Sequence, residues 1–299
     1  MNRAPQPVPS AAGVVDVGGS HVLAALVVQD DGPVRLQSRT SAALDSSAPR
    51  EDLLRQLAAA PAQLTAASWT VALPGPFDYA AGRGDFAGVA KFASLAGVDL
   101  RAELAARTGV PGEQVHFVND AVAYGLGEWS RLAVPASRFV CITLGTGVGS
   151  AWLADGEPVD TGPDVPPHGW AHLITLDGRP LEDTVSTRAI RADHLRRTGV
   201  DADVRTIAEA ARAGDAAAAA SWGTAFRALG RALAPWLQRF GAQQLVVGGA
   251  IARSWDLVEV PLVEGLGAVG VPLPELSPAV LQEDAPLVGA ALWSGRQEG

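Results

Sequence analysis

The stretch VHFVNDAVAYGLGEW, residues 115–129, holds the side chains best suited to chemistry. An apolar run short enough for a buried strand ends on Asn119 and Asp120, and an alanine-rich helical pattern follows at once. A carboxylate at such a junction either caps the helix or serves as a base aimed into a cleft. Glycine turns carry a second kind of chemistry. In LGTGVGS, Gly145, Gly147 and Gly149 let backbone N–H groups approach an anion, and the Thr146 hydroxyl adds a donor. A plain tight hairpin uses the same residue types. In DVGGS, Gly18, Gly19 and Ser20 form another turn with Asp16 beside it, and Gly248 and Gly249 supply a third. Three such turns at strand ends are hard to explain by packing alone. Asp16 suits a Mg2+ ion held through water, because that ion keeps most of its hydration and takes one or two carboxylates besides phosphate oxygens. Its other reading is a turn-stabilising aspartate.

The elements that must position these groups can be read from pattern. GVVDVGGSHVLAALVVQD reads as strand, glycine turn, strand, with a third strand expected over residues 34–41. APREDLLRQLAAAPAQL has helical spacing, and SWTVALPGPFD is a short strand that breaks at Pro74-Gly75-Pro76. DLRAELAARTG is a helix with Gly109 as its stop signal. RFVCITLGTGVGSAWLADG repeats the strand, turn, strand grammar in pattern but not in letters. A loop rich in Gly, Pro and Asp covers 158–180, DAAAAASWGTAFRALGRALAPWL is helical, and QQLVVGGAIARS is a strand, glycine, helix unit. The alternation predicts an α/β protein with parallel pairing toward its later strands. Two halves that each open on a glycine hairpin predict two α/β lobes facing one another, with ligands in the cleft where strand ends converge.

With 299 residues and 48% hydrophobic content, the chain can bury a sizeable core. Neither a membrane span nor a signal or transit pattern is evident, which predicts a cytoplasmic protein with no membrane partner. A formal net charge of -9 argues against a nucleic-acid partner, whose phosphates call for lysine and arginine. The one cysteine, Cys141, forbids an intramolecular disulfide and a multi-cysteine zinc site. Of the 23 basic residues, only Lys91 is a lysine. Trp222 and Trp236 read either as exposed aromatics or as helix-packing residues.

The set resembles the ROK family of sugar kinases and repressors, within the actin-like, hexokinase-type ATPase superfamily. DVGGS stands for the family's first phosphate motif and LGTGVGS for its second. LPGPFD, FVNDAVAYGLGE in place of the catalytic Asn-Asp segment, LVVGGAIA near the nucleotide base and the closing PLVGAALW follow in the family's order. The resemblance implies two actin-like, ribonuclease H-like lobes, a small one over 1–120 with 285–299 packing back on it and a large one over 121–284. It implies ATP and Mg2+ as cofactors, the latter through Asp16. Asp120 becomes the expected general base, taking a proton from a sugar hydroxyl as that oxygen attacks the γ-phosphate. Asn119 and Gly75 join it on the acceptor side. The glycines and hydroxyls of the three turns hold the nucleotide.

The chain also departs from the family pattern. Where ROK kinases carry Glu-x-Gly-His and a cysteine-rich zinc loop, this one reads HGWAHLITLDGRPLEDTVSTR, with Gly169 at the glutamate position and no zinc site. His172 keeps the family position as a sugar contact or is a plain loop histidine, with His168 as the alternative. Glu182 matches the second sugar-binding acid and Asp183 lies beside it, though such a pair also caps helices. In GVAKFASLAGVDL, Lys91 takes the place of the family's sugar-loop Asn and Leu95 that of its Trp. An ammonium donates to oxygens but accepts nothing, so the acceptor pocket is rebuilt. The expected activity is phosphorylation of the primary hydroxyl of a hexose-like, modified sugar, with a C7-cyclitol kinase or a polyphosphate/ATP glucokinase as alternatives. A sugar-sensing ROK repressor is disfavoured, because the first phosphate motif begins by Asp16 and leaves no room for a preceding helix-turn-helix. A homodimer is compatible with the family.

Overall fold

A computed structural model of the chain describes residues 11–28, 32–86, 91–268, 270 and 272–296. The chain divides into two compact units, one running up to Gly127 and resuming at Asp284, the other Glu128–Glu283. The expected boundary at residue 120 falls on the first residue of a helix, and the division lies inside that helix.

In the first unit, β1 (Ala12–Val17) turns back at Gly18 and Gly19 into antiparallel β2 (His21–Val28), with β3 (Arg35–Ala43) at the edge. The helix α1 (Arg50–Ala59) leads to β4 (Ser68–Leu73), which lies parallel to β1. A small hairpin follows, β5 (Phe77–Asp78) with β6 (Arg83–Gly84). The next helix, α2 (Leu100–Thr108), is capped by Asp99, whose side chain accepts the Ala102 N–H, and it ends at Gly109 in the left-handed conformation. Then β7 (Val115–Asn119) pairs parallel with β4, completing the order β3-β2-β1-β4-β7, and α3 (Asp120–Trp129) follows without a break.

The sheet is covered on both faces, and the alternation along β1 shows how. Val14 packs with Ala72, Val118 and Leu287 on one side, while Val15 and Val17 pack with Leu53, Leu57, Leu100 and Leu104 on the other. The helix Ala285–Ser294 supplies the first of these layers and lies against β1 and β4. It also meets α3 backbone to backbone. A Cβ on Gly289 would collide with the Ala123 carbonyl oxygen, and one on Gly127 with that of Ala285. The closing GAALW segment thereby fixes the helix that begins with Asp120.

The second unit repeats the plan. Its hairpin is β8 (Arg138–Leu144) with β9 (Val148–Ala154), extended by β10 (Glu157–Pro158). The Gly- and Pro-rich loop contains a two-stranded ribbon, β11 (Thr175–Leu176) with β12 (Arg179–Pro180). The helices α4 (Glu182–Val185), α5 (Thr187–Thr198), α6 (Val204–Arg212) and α7 (Ala216–Phe240) precede β13 (Gln244–Gly248), and α8 (Trp255–Gly267) precedes β14 (Glu275–Pro278). The order is β10-β9-β8-β13-β14, with β8, β13 and β14 parallel. The apolar stripe of α7, including Phe226, Leu229 and Leu233, packs on Val140, Ile142, Leu245 and Val247. Each such side chain contributes about 1.5–3 kcal/mol of burial. Trp222 is 1% exposed and stacks on Phe226, and Trp236 is partly buried against the same core, so these rings pack helices and are not surface aromatics. Among the described residues, no helix is long and apolar enough to cross a membrane.

Candidate active site

In the first unit, the acidic residues converge at the carboxyl ends of the parallel strands. Asp16 pairs with Ala72 across β1 and β4, and Ala72 with Val118 across β4 and β7. Asp16 therefore lies level with the end of β7, and Asp120 opens α3 just beyond. Burial and the neighbouring charge of Asp120 push the Asp16 carboxyl up to about 7. Asp120 is also raised by burial, against the opposing pull of its hydrogen bond from the Ala121 N–H and of the Lys91 ammonium. A buried carboxylate raised further by the charge of a second one is the donor chemistry a hydrated divalent cation fits, since its charge relieves that repulsion.

The helix-capping role is taken chiefly by the neighbouring amide. Asn119 Oδ1 accepts from the N–H groups of Ala121, at 3.0 Å, and Val122, at 3.1 Å. Its Nδ2 donates to the Tyr79 hydroxyl at 2.9 Å, and that hydroxyl donates to the Leu73 carbonyl at 3.2 Å. Asp120 Oδ1 takes one helix N–H, at 2.8 Å. Burial and the charge of Asp120 raise the Tyr79 hydroxyl well above its ordinary range, so Tyr79 stays neutral. Tyr79 was not singled out from sequence, although it directly follows GPFD and is one of only two tyrosines.

The first glycine turn closes through the Gly18 N–H donating to the His21 carbonyl, and the Leu44 N–H donates to the Ser20 carbonyl. Lys91 reaches this turn, and a Cβ built on Gly19 would lie 3.3 Å from its Nζ. Of GVAKFASLAGVDL, the first three residues lie outside the described ones, while Leu95 is a core residue. Gly75 sits at the break after β4, where the Gly75-Pro76 peptide is cis.

In the second unit, the turn joining β8 to β9 is held by the Gly145 N–H donating to the Gly147 carbonyl. It is also held by Thr187 at the start of α5, whose hydroxyl donates to the Gly145 carbonyl at 2.8 Å. Thr146 is exposed at the tip, between the half-exposed Gly145 and Gly147, and Gly149 is the second residue of β9. Glu182 lies against this turn. Its Oε2 accepts from the Val148 N–H at 3.4 Å, and a Cβ on Gly147 would stand 2.9 Å from the same oxygen. The alternative role of Glu182 and Asp183 as helix caps has no support, because α4 has no capping side-chain hydrogen bond and Asp183 pairs with Arg188 at 2.7 Å. Gly248 ends β13 opposite Thr143. Gly249 has φ 82°, and a Cβ there would collide with Leu144, so the second and third glycine turns of the chain are neighbours.

The 167–173 loop is tied to β9 by Ser150, whose hydroxyl donates to the Gly169 carbonyl at 2.6 Å and accepts from the Ala171 N–H at 2.8 Å. Gly169 is buried with φ 68°, a conformation that disfavours the glutamate of the family pattern. His168 and His172 flank the Trp170 ring, with centroids at 4.9 and 5.4 Å. Burial lowers the pKa of His172 while the charge of Glu182 raises it, which places His172 and Glu182 in one electrostatic neighbourhood. Cys141 is buried in β8, and among the described residues no three His, Cys, Asp or Glu side chains are grouped to hold a metal.

Sequence reading also passed over Glu128, quoted only as the last letter of its motif. It is 2% exposed and accepts the N–H groups of Val280, Leu281 and Gln282.

The family model for ROK matches residues 12–297. The chain belongs to the ROK family. It is 28% identical to a glucokinase of Thermotoga maritima over 93% of this chain and 95% of that protein. Two solved structures share the fold. A ROK hexokinase from Thermus thermophilus superposes with TM-score 0.76 at 24% identity, covering 96% of this chain and 99% of the other. A ROK glucokinase from Streptomyces griseus, in complex with glucose and AMPPNP, superposes with TM-score 0.76 at 22% identity, covering 95% and 98%. Within the ROK family, this member stands with the sugar kinases.

Proposed function

We propose that the chain phosphorylates the primary hydroxyl of a hexose-like sugar from ATP, with Asp120 as general base. The observation that carries this reading is the arrangement at the end of β7. A carboxylate opens a helix at the carboxyl ends of the parallel strands β1, β4 and β7, has one oxygen on the Ala121 N–H, and lies in the electrostatic reach of Asp16 and Lys91. A proton leaving an acceptor hydroxyl has a base there, and the attacking oxygen gains nucleophilicity as it leaves. Asn119 orients the acceptor with the second hydrogen of its Nδ2, the first being held by Tyr79. Gly75 and Lys91 flank it. The DVGGS turn receives phosphate oxygens on its backbone N–H groups. Mg2+ bound through water to Asp16 supplies neutralisation of phosphate charge.

From the second unit, Gly145, Thr146, Gly147 and Gly149 serve the nucleotide phosphates, and Gly248 and Gly249 serve the nucleotide end. His172, kept neutral by burial, Glu182 and Asp183 serve acceptor hydroxyls. The ammonium at position 91 and the missing carboxylate at 169 favour a modified sugar, such as an amino sugar, or a C7-cyclitol over glucose itself. The test is ADP release against a panel of hexoses, amino sugars and cyclitols, with ATP or polyphosphate as donor. Turnover of a modified sugar well above glucose supports the reading, equal turnover of glucose removes the substrate preference, and no release with any acceptor removes the kinase assignment.

A further inference from the structure

Lys91 is the one lysine of a chain that otherwise uses arginine for its cations. The segment that carries it is anchored. The Phe92 N–H donates to the Ser46 carbonyl at 2.8 Å, the Ser94 hydroxyl to the Ala48 carbonyl at 2.8 Å, and Arg50 Nε to the Ser94 carbonyl at 3.1 Å. The Phe92 ring is 4% exposed and packs on Phe86 at 5.6 Å. Phe92 itself has φ 60°, a left-handed conformation that costs a bulky L-residue about 1–3 kcal/mol and persists only where its surroundings enforce it. The residue next to Lys91 is therefore held in a strained conformation by packing and hydrogen bonds.

That anchoring delivers the ammonium to one place. It lies beside Gly19 in the first glycine turn, and it acts on the charge of Asp120. A Cβ on Gly19 would meet Nζ at 3.3 Å. The ammonium is a compact point charge with three donors, and the planar fork of arginine directs its charge differently, so the two are not interchangeable at this turn. One cation thus stands beside the first glycine turn and within electrostatic reach of Asp120.

We propose that Lys91 is a catalytic residue whose ammonium neutralises the oxygens of the phosphoryl group while it passes to the acceptor, a role beyond any contact with the acceptor. The proposal rests on the phosphotransfer reading above. In the step, the acceptor oxygen forms the new P–O bond, the bond to the ADP oxygen breaks, and its electron pair leaves with ADP. The acceptor proton goes to Asp120, and Lys91 exchanges none.

The test uses the full chain and three variants. Lys91→Met should lower kcat about 10²–10³-fold, as loss of a preorganised charge-stabilising group does, beyond any rise in acceptor KM from the lost acceptor contact, for whichever panel sugar gives the fastest ADP release. Lys91→Arg should recover little of it. Lys91→Ala should regain turnover when ethylammonium is added, a response that a packing role does not give. A readout independent of turnover is calorimetry with Mg2+ and ADP, alone and with aluminium fluoride as a mimic of the phosphoryl group in flight. Lys91→Met should bind ADP as the native chain does and bind the fluoride complex at least about tenfold more weakly. A raised acceptor KM at unchanged kcat, or equal binding of the fluoride complex, overturns the proposal while leaving the kinase reading intact. Absence of ADP release from the native chain with every acceptor and donor would instead remove the reading beneath it.

Discussion

Replacing Asn119 by alanine removes three hydrogen bonds at once. The Oδ1 acceptor for the Ala121 and Val122 N–H groups disappears, and so does the Nδ2 donor to Tyr79. Loss of a helix cap costs about 1 kcal/mol, and loss of a part-buried neutral hydrogen bond costs about 1 kcal/mol more. The Ala121 N–H keeps Asp120 Oδ1 as a partner, which holds the total near 2 kcal/mol. The helix start is where the damage concentrates. Amide hydrogen exchange at Ala121 and Val122 should accelerate about 30-fold, the equivalent of that energy at about 1.4 kcal/mol per decade. Tyr79→Phe leaves the cap intact and should cost only about 1 kcal/mol, and the double variant should cost less than the two single changes added, because the two share one hydrogen bond. Since Asp120 is the next residue, kcat of Asn119→Ala should fall about 10–10²-fold through misplacement of the base. Exchange at Ala121 and Val122 equal to that of the native chain would refute the argument that Asn119 positions Asp120.

Other expectations follow from the same geometry. Glu128→Ala removes the acceptor of three part-buried N–H groups, so it should destabilise the second unit by about 1–3 kcal/mol in urea denaturation, whereas Glu128→Gln, which keeps an acceptor oxygen, should cost less. Gly249→Ala combines φ 82° with a collision at Leu144 and should cost at least about 2 kcal/mol with no gain in activity. Asp16 has its folded pKa raised from 3.8 to about 7, so the stability linked to its protonation is full below about pH 4 and is lost as pH rises through about 7. In the metal-free protein, Asp16→Asn should therefore abolish a decline of at most about 4 kcal/mol over that interval, read from denaturation midpoints at a series of pH values. A native chain whose stability does not fall from pH 4 to 7 relative to the variant would show that Asp16 is not held protonated.

Much of this fold was legible because the signals were local. Both glycine hairpins, the strand ending at Asn119, the stop at Gly109 and the parallel later strands all follow from apolar runs bounded by turn residues. The strand β14 escaped because PLPELSPAV reads as a proline-rich loop, and its pairing with β13 is a non-local fact. The site was legible as residue types but not as a division of labour. Sequence offers Asp120 as a helix cap or a base, and only the coordinates show Asn119 holding both Ala121 and Val122. Tyr79 completes that network from another segment and has no periodic signature. The Lys91 ammonium was noticed by its rarity, but its approach to Gly19 depends on the turn at Phe92, which no short-range pattern predicts.

The most direct test of the whole account is Asp120→Asn. The amide keeps the shape and an oxygen for the Ala121 N–H, so folding and ADP affinity should stay close to native while the base is lost. Steady-state ADP release in the presence of saturating Mg2+, ATP and the preferred sugar should then fall about 10²–10⁴-fold in kcat. A folded Asp120→Asn protein that keeps kcat within about threefold of the native value would contradict the assignment of Asp120 as the base.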